Sequence, residues 1–339
     1  MTNLQRIDSL ESLPRDELRV LLETHTQDDA EALFARARTI RERAYGSAIY
    51  LRALIEISSY CKNDCYYCGL RKSNGKAQRY RLSKDEILAC CEEGYAQGLR
   101  TFVLQGGEDP WFNDERLCDI VGAIRKRWPD CAITLSLGER GRESYAALFA
   151  AGANRYLLRH ETANESHYKL LHPSEMQLSA RLLCLRDLRE IGYQVGCGFM
   201  VGSPGQSVDY LLDDLDFLRA FRPEMVGIGP FLPHGDTPFA NEPPGSPELT
   251  LFLLGLVRVL LPGALLPATT ALGSSMQDGR ERGLLAGANV IMPNLSPAHV
   301  RGKYAIYDGK DTRGMEGLCG RIEALGLEIG TGRGDAVRL

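Results

Sequence analysis

From about residue 46 the chain alternates short runs of consecutive apolar residues with longer stretches whose apolar positions recur every three or four residues. The short runs, bounded by turn formers, read as buried strands; the longer stretches read as amphipathic helices packed on them. Strand segments fall at 49–57, 101–105, 132–137, 155–158, 194–201, 225–230, 266–270 and 290–293, and helical segments between them at 84–97, 114–127, 141–150, 177–191, 208–220, 247–261 and 279–286. Gly98, Gly152, Gly192 and Gly287 follow helical segments, where a left-handed residue ends a helix. Ahead of the alternation, 16–24 and 29–45 carry helical periodicity. The pattern predicts a helical extension over 1–45, a complete TIM-type (β/α)8 barrel over 46–295, and a C-terminal segment over 296–339 that closes it. A doubly wound open sheet uses the same local pattern and stays open as an alternative at this stage.

The most apolar window, 249–268, has the length of a membrane span, but Arg258, Pro262 and Gly263 interrupt it, so it reads as a buried helix followed by a strand. No basic segment leading into an apolar stretch opens the chain, so no secretory signal and a cytoplasmic protein are expected. A net charge of −4 and a pI near 5.9 offer no general attraction for a polyanion, which argues against nucleic acid and for a small-molecule substrate. Ten cysteines in such a chain suit metal ligands and buried thiols better than disulfides.

Three of the ten lie together, in Cys61-Lys-Asn-Asp-Cys65-Tyr-Tyr-Cys68, just after the first predicted strand, where an α/β barrel carries its active-site loops. Three thiolates on one loop can hold three irons of a cubane and leave the fourth open to another ligand. A zinc site would need a fourth ligand from afar, and no second pair at metal-ligand spacing exists. His160, His167, His172, His234 and His299 are not at such spacing from one another and are expected to be structural or surface residues.

The CxxxCxxC spacing resembles the signature of the radical S-adenosylmethionine (SAM) superfamily. The resemblance implies that Cys61, Cys65 and Cys68 are the catalytic metal ligands of a [4Fe-4S] cluster that chelates SAM and cleaves it to a 5′-deoxyadenosyl radical. It also implies that Tyr67 lies against the adenine and that Gly106, Gly107 and Glu108 receive the methionyl ammonium. Ser136 and Glu161 would then contact SAM, and Arg181 would pair with its carboxylate through a fork that lysine cannot reproduce. Read without the resemblance, these residues are turn, strand-end and helix-surface positions.

Further stretches, among them Leu104-Gln-Gly-Gly-Glu-Asp-Pro110, Arg155-Tyr-Leu-Leu-Arg-His-Glu-Thr-Ala-Asn164, Met200-Val-Gly-Ser-Pro-Gly-Gln206 and Asn289-Val-Ile-Met-Pro-Asn294, resemble the HydE family of [FeFe]-hydrogenase maturases over essentially the whole chain. The resemblance implies a role in assembling the diiron subsite of the hydrogenase H-cluster, acting on a cysteine-bound Fe(CO)2(CN) precursor, with companion maturases, a downstream GTPase scaffold and an electron donor as partners. Arg52 and Arg159 would bring positive charge toward a barrel interior, where an anionic ligand relieves the cost of an unpaired guanidinium. By resemblance these two, with Gln105, Thr269, Thr270, Met292 and Tyr304, line the substrate region. Some family members carry three more cysteines near the C-terminus for an accessory cluster; here residues 307–321 contain only Cys319, so no second cluster is expected. Competing readings are a methylornithine synthase-like or biotin synthase-like enzyme, and a noncatalytic metal or iron-sulfur scaffold.

Overall fold

The computed structural model describes residues 1–337. Three helices come first, α1 (Asn3–Asp8), α2 (Arg15–Thr24) and α3 (Gln27–Tyr45). Thr2 and Thr26 begin α1 and α3 with reciprocal capping boxes that satisfy N–H groups a helix start leaves free. The strands are β1 (Ala48–Leu51), β2 (Ala53–Ser58), β3 (Thr101–Gly106), β4 (Ala132–Ser136), β5 (Arg155–Leu157), β6 (Gln194–Cys197), β7 (Met200–Val201), β8 (Met225–Val226), β9 (Gly229–Pro230), β10 (Val290–Ile291) and β11 (Glu328–Ile329). Helices α4 (Lys84–Ala96), α5 (Asp114–Arg127), α6 (Arg142–Ala150), α7 (Glu165–Leu171), α8 (Leu178–Ile191), α9 (Val208–Phe221), α10 (Pro247–Leu260), α11 (Thr270–Ser275), α12 (Gly279–Leu285), α13 (Ala298–Arg301) and α14 (Leu318–Glu323) complete the chain.

Every strand pairing is parallel, as expected where helices make the crossovers. Six strands run in the order β2-β3-β4-β5-β6-β8, β1 pairs with β10 and β11, and β7 pairs with β9. Single parallel bridges join Met225 to Leu265, Pro267 to Val290 and Leu54 to Asn294. All six residues of β2 are buried, which fits a strand covered on both faces.

Four segments depart from the sequence expectation. The run 49–57 is two strands. Arg52 and Leu54 keep their bonds to the Ile291 and Pro293 carbonyls, while on the other side the partner changes from β11 to β3. The run 194–201 divides at Gly198, whose φ of +150° and approach to the Gly227 carbonyl leave no space for a Cβ. The run 225–230 likewise divides, into β8 and β9. The run 266–270 yields no strand of its own: Pro267 has no N–H to give, and Thr269 caps α11, so Thr270 opens a helix instead of closing a strand. The tail after 296, which lacks a clear hydrophobic period, nonetheless forms α13, α14 and β11, the last pairing with Ala48 and Ile49.

The apolar window resolves as anticipated at its helix: Thr250 to Leu260 of α10 are all buried. Arg258 is fully buried there, and its guanidinium donates to the carbonyls of Gly287, Pro262 and Ala264 and to Asn289 Oδ1. Among the described residues no helix is long and apolar enough to cross a membrane.

Candidate active site

Between β2 and α4 the chain runs from Ser59 to Ser83 without a helix or an extended strand, so side chains must satisfy its backbone. Arg79 donates to the carbonyls of Ser59, Leu70, Arg71 and Asn74. Asp64 accepts from Arg71 and from the Ser73 N–H and hydroxyl. Asp109, buried after β3, accepts from Ser58 and Arg81, and the Lys62 N–H donates to the Glu108 carbonyl. This web holds Cys61, Cys65 and Cys68, all half-buried free thiols, on one turn of loop.

The donor set fits an iron-sulfur cubane. Burial pushes all three thiols up, Cys68 to about 12, so thiolates there call for bound cations. Among the described residues no three Cys, His, Asp or Glu side chains converge on a single ion; a cubane asks instead for one thiolate on each of three irons. Gly107 keeps the approach to the loop open, because a Cβ there would lie 2.3 Å from the Tyr60 carbonyl oxygen and 2.8 Å from Cys61 Cβ.

Beside the loop, at the C-terminal ends of β3, β4 and β5, lies a cavity of about 250 Å3. Cys65, Cys68, Tyr67, Gln105, Gly106, Ser136, Arg159, Glu161, Arg181 and Tyr304 line it. Cys61, Gly107 and Glu108 stand outside this lining. Glu108 Oε1 accepts the Glu139 N–H, and its Oε2 faces the Lys62 ammonium at 3.3 Å, so the carboxylate already receives an ammonium. Arg159 and Glu161 sit 3.1 Å apart, out of hydrogen-bond alignment. Arg159 Nε and Nη2 and Glu161 Oε2 are buried without an aligned hydrogen bond among the described residues, although Nη2 and Oε2 form the ion pair, an arrangement that a polar ligand completes. Glu161 takes a left-handed φ of +67°, which only Arg222 shares among non-glycine residues described.

Arg52, Thr269, Thr270 and Met292 are not in the cavity wall. Arg52 is buried with its Nη1 3.2 Å from Met225 Sδ, and its Nε and Nη2 have no partner among the described residues. Met292 packs near it on the Met225, Leu265 and Val290 group. Thr269 spends its hydroxyl on the N-cap of α11, and Thr270 is one residue from the wall residue Ala271. A larger cleft of about 540 Å3 opens where β6 and β8 start, lined by Gln194 and Glu224 among others. In parallel α/β barrels chemistry belongs to the other end.

Several site residues carried no sequence signal. His172 Nδ1 lies 2.9 Å from the Tyr168 carbonyl and so must donate to it; Nε2 is left as acceptor for the Tyr67 hydroxyl at 3.2 Å. Burial depresses His172 to about 3, which keeps that acceptor neutral. Glu139 holds Arg181 Nε at 2.5 Å, while Arg181 Nη1 donates to the Arg159 carbonyl. From the C-terminal segment Ile306 and Tyr307 join Tyr304 in the wall. That segment is pinned by Lys310, whose ammonium meets the fully buried Glu56 at 2.5 Å, and by Asp311 on Arg280.

A cysteine loop at the C-terminal edge of a parallel sheet, facing a cavity of mixed polar and apolar lining, coincides with the reach of the Radical SAM superfamily model, which matches residues 55–218. The chain is a radical SAM enzyme, a class that implies a [4Fe-4S] cluster and SAM. Over 347 aligned positions it is 44% identical to the [FeFe] hydrogenase maturase subunit HydE of Thermotoga maritima, covering 100% of this chain and 99% of that one. It belongs to the HydE family of hydrogenase maturases. Similarity to the 3-methylornithine synthase of Methanosarcina acetivorans is lower, 28% over 93% of this chain and 90% of that one. The crystal structure of methylornithine synthase (PylB) superposes with a TM-score of 0.84 at 25% identity, covering 97% of each chain.

Proposed function

We propose that this maturase binds its cluster through Cys61, Cys65 and Cys68 and SAM in the adjoining cavity. The Gly106 and Gly107 carbonyls and Glu108 would receive the methionyl ammonium, Arg181 the carboxylate, Tyr67 the adenine, and Ser136 and Glu161 further polar groups of SAM. When bound, the cluster supplies the electron that splits SAM into methionine and a 5′-deoxyadenosyl radical. The protein's own work is orientation and exclusion of water. Arg181 is held by Glu139, and Tyr67 by His172. Apolar Leu157, Met200 and Phe231 contribute dry surface to the same wall.

The observation that carries this reading is the Arg159–Glu161 ion pair, buried short of aligned hydrogen bonds in a cavity whose wall includes two of the three cysteines. We read the architecture as a complete (β/α)8 barrel, supported by the parallel contacts that continue past β8 through Leu265, Pro267 and Val290 to β1 and β2. The substrate side is read as the region of Gln105, Arg159, Tyr304 and, deeper, Arg52, Met292 and the Thr269–Thr270 corner, suited to an anionic cysteine-bound Fe(CO)2(CN) complex passed between companion maturases. The domain limits 1–45, 46–295 and 296–339 follow the same reading, with Cys319 outside any cluster.

Anaerobic reconstitution, reduction with dithionite and assay of 5′-deoxyadenosine test it. The native chain is expected to release 5′-deoxyadenosine and the Cys65→Ala variant none. A chain that binds a cluster yet never cleaves SAM, with or without candidate substrates, would sink the proposal. Iron and sulfide quantification beyond one cubane per chain would sink the single-cluster assignment.

A further inference from the structure

Glu161 occupies a backbone conformation that non-glycine residues avoid, so its surroundings must impose it. Its N–H donates to the Gly198 carbonyl and its own carbonyl accepts from Met200, which clamps it to the segment between β6 and β7. The neighbouring residue, His160, is wholly buried and fixes the other coordinate of the turn. Its Nδ1 lies 3.3 Å from the Gly198 N–H, which can only donate; Nδ1 is therefore the acceptor and Nε2 carries the proton. Nε2 points at Asp214 Oδ1, 3.2 Å away on α9, and the same oxygen accepts the Ala163 N–H at 2.6 Å. Burial lowers His160 to about 3, so the ring stays a neutral one-donor, one-acceptor strut. Phe199 and Phe217 pack about the ring.

The loop that carries Glu161 is thus held at two points, by Gly198 at the end of the neighbouring strand β6 and by Asp214 of α9 at Ala163. One residue along α9, Asp213 accepts from Asn164 in the same loop and from Arg15 of α2. We infer that His160 and Asp214 are positioning residues for Glu161: they impose its left-handed turn and so aim its carboxylate into the SAM cavity beside Arg159. Neither residue reaches the cavity itself. A buried His–Asp pair that only filled the core would have no reason to hold both Gly198, the hydrogen-bond partner of the one strained cavity residue, and Ala163, two residues beyond it. The inference rests on the proposed contact between Glu161 and SAM.

The test measures SAM affinity on reconstituted, unreduced holoenzyme from the change in the cluster's spectrum on titration, with iron content and melting temperature followed in parallel. Glu161→Ala is expected to weaken SAM binding about tenfold, the loss of a hydrogen bond to a charged group. His160→Leu is expected to do the same with iron content unchanged, and to add nothing further in the Glu161→Ala background. His160→Asn, whose shorter carboxamide keeps an acceptor for Gly198 but lacks the reach of Nε2 to Asp214, should fall between, and it serves as the readout if the leucine variant does not fold. Native SAM affinity in the His160 variants, or losses that add in full to that of Glu161→Ala, would overturn the positioning role. Unchanged affinity in Glu161→Ala would instead remove the cofactor contact, and this inference with it.

Discussion

Arg181 illustrates how much of the site was legible one residue at a time. As a helix arginine it reads as a solvated charge; only the family resemblance singled it out, and the structure buries it against Glu139 and the Arg159 carbonyl. Lysine there would keep the charge and lose the fork. Arg181→Lys is expected to raise the KM for SAM roughly ten- to hundredfold, the range of a lost charge-assisted hydrogen bond, with far-UV circular dichroism unchanged. Gly107→Ala acts on the neighbouring loop. Its methyl group would displace the Tyr60–Cys61 backbone, so the variant should lose most of its iron on reconstitution, measured against native protein prepared alongside. His172 escaped the sequence because its role is set by a carbonyl and a phenol that meet it only in space. Glu139 escaped for the same reason.

Among elements, the helices were the most legible. Seven predicted segments match α4, α5, α6, α8, α9, α10 and α12 to within a residue or two; five of them, α4, α5, α8, α9 and α10, run to 13 or 14 residues, enough steady period to outweigh local noise. Short elements carry few turns to show a period: α1, α7, α11, α13 and α14 have at most seven residues each and were not singled out, whereas α12, also of seven, is marked at its end by Gly287. Strand breaks depended on partners, as at Arg52, and no local pattern encodes a partner. The C-terminal segment was read as a cover without any sign of what fastens it. Lys310 supplies the fastening, and Lys310→Met would leave the Glu56 carboxylate buried with its ion-pair partner gone. A loss of about 3–5 kcal/mol in urea denaturation is expected, largely recovered in the Glu56→Gln, Lys310→Met double variant. At the other end of the chain, Leu33 of α3 is fully buried against Gly255 of α10. Leu33→Ala should cost about 2–5 kcal/mol by the same measurement.

The molecule as a whole responds to pH through buried groups that pull in opposite directions. Burial holds His172 near 3, below its unfolded value near 6.5. The unfolded chain therefore takes up a proton that the folded chain refuses, and the stability this contributes is complete above 6.5 and lost as pH falls toward 3. Glu56 is raised by burial, so its contribution runs the other way, fading as pH rises above about 4.5. A comparison with His172→Gln isolates the histidine. The difference in unfolding free energy between pH 7.5 and pH 5 should shrink by about 2 kcal/mol in the variant. An unchanged difference would mean the ring is charged in the folded state.

The wall of the cavity is gathered from distant parts of the sequence, and translation delivers those parts in order. Cys65 leaves the ribosome 239 residues before Tyr304, an interval of roughly 12–50 s at common rates of synthesis. Until Tyr304, Ile306, Tyr307 and Lys310 arrive, one flank of the thiol loop has no covering. A cluster delivered to the nascent chain would therefore meet a more open site than one delivered to the finished chain, where Tyr304, Ile306 and Tyr307 already form part of the wall.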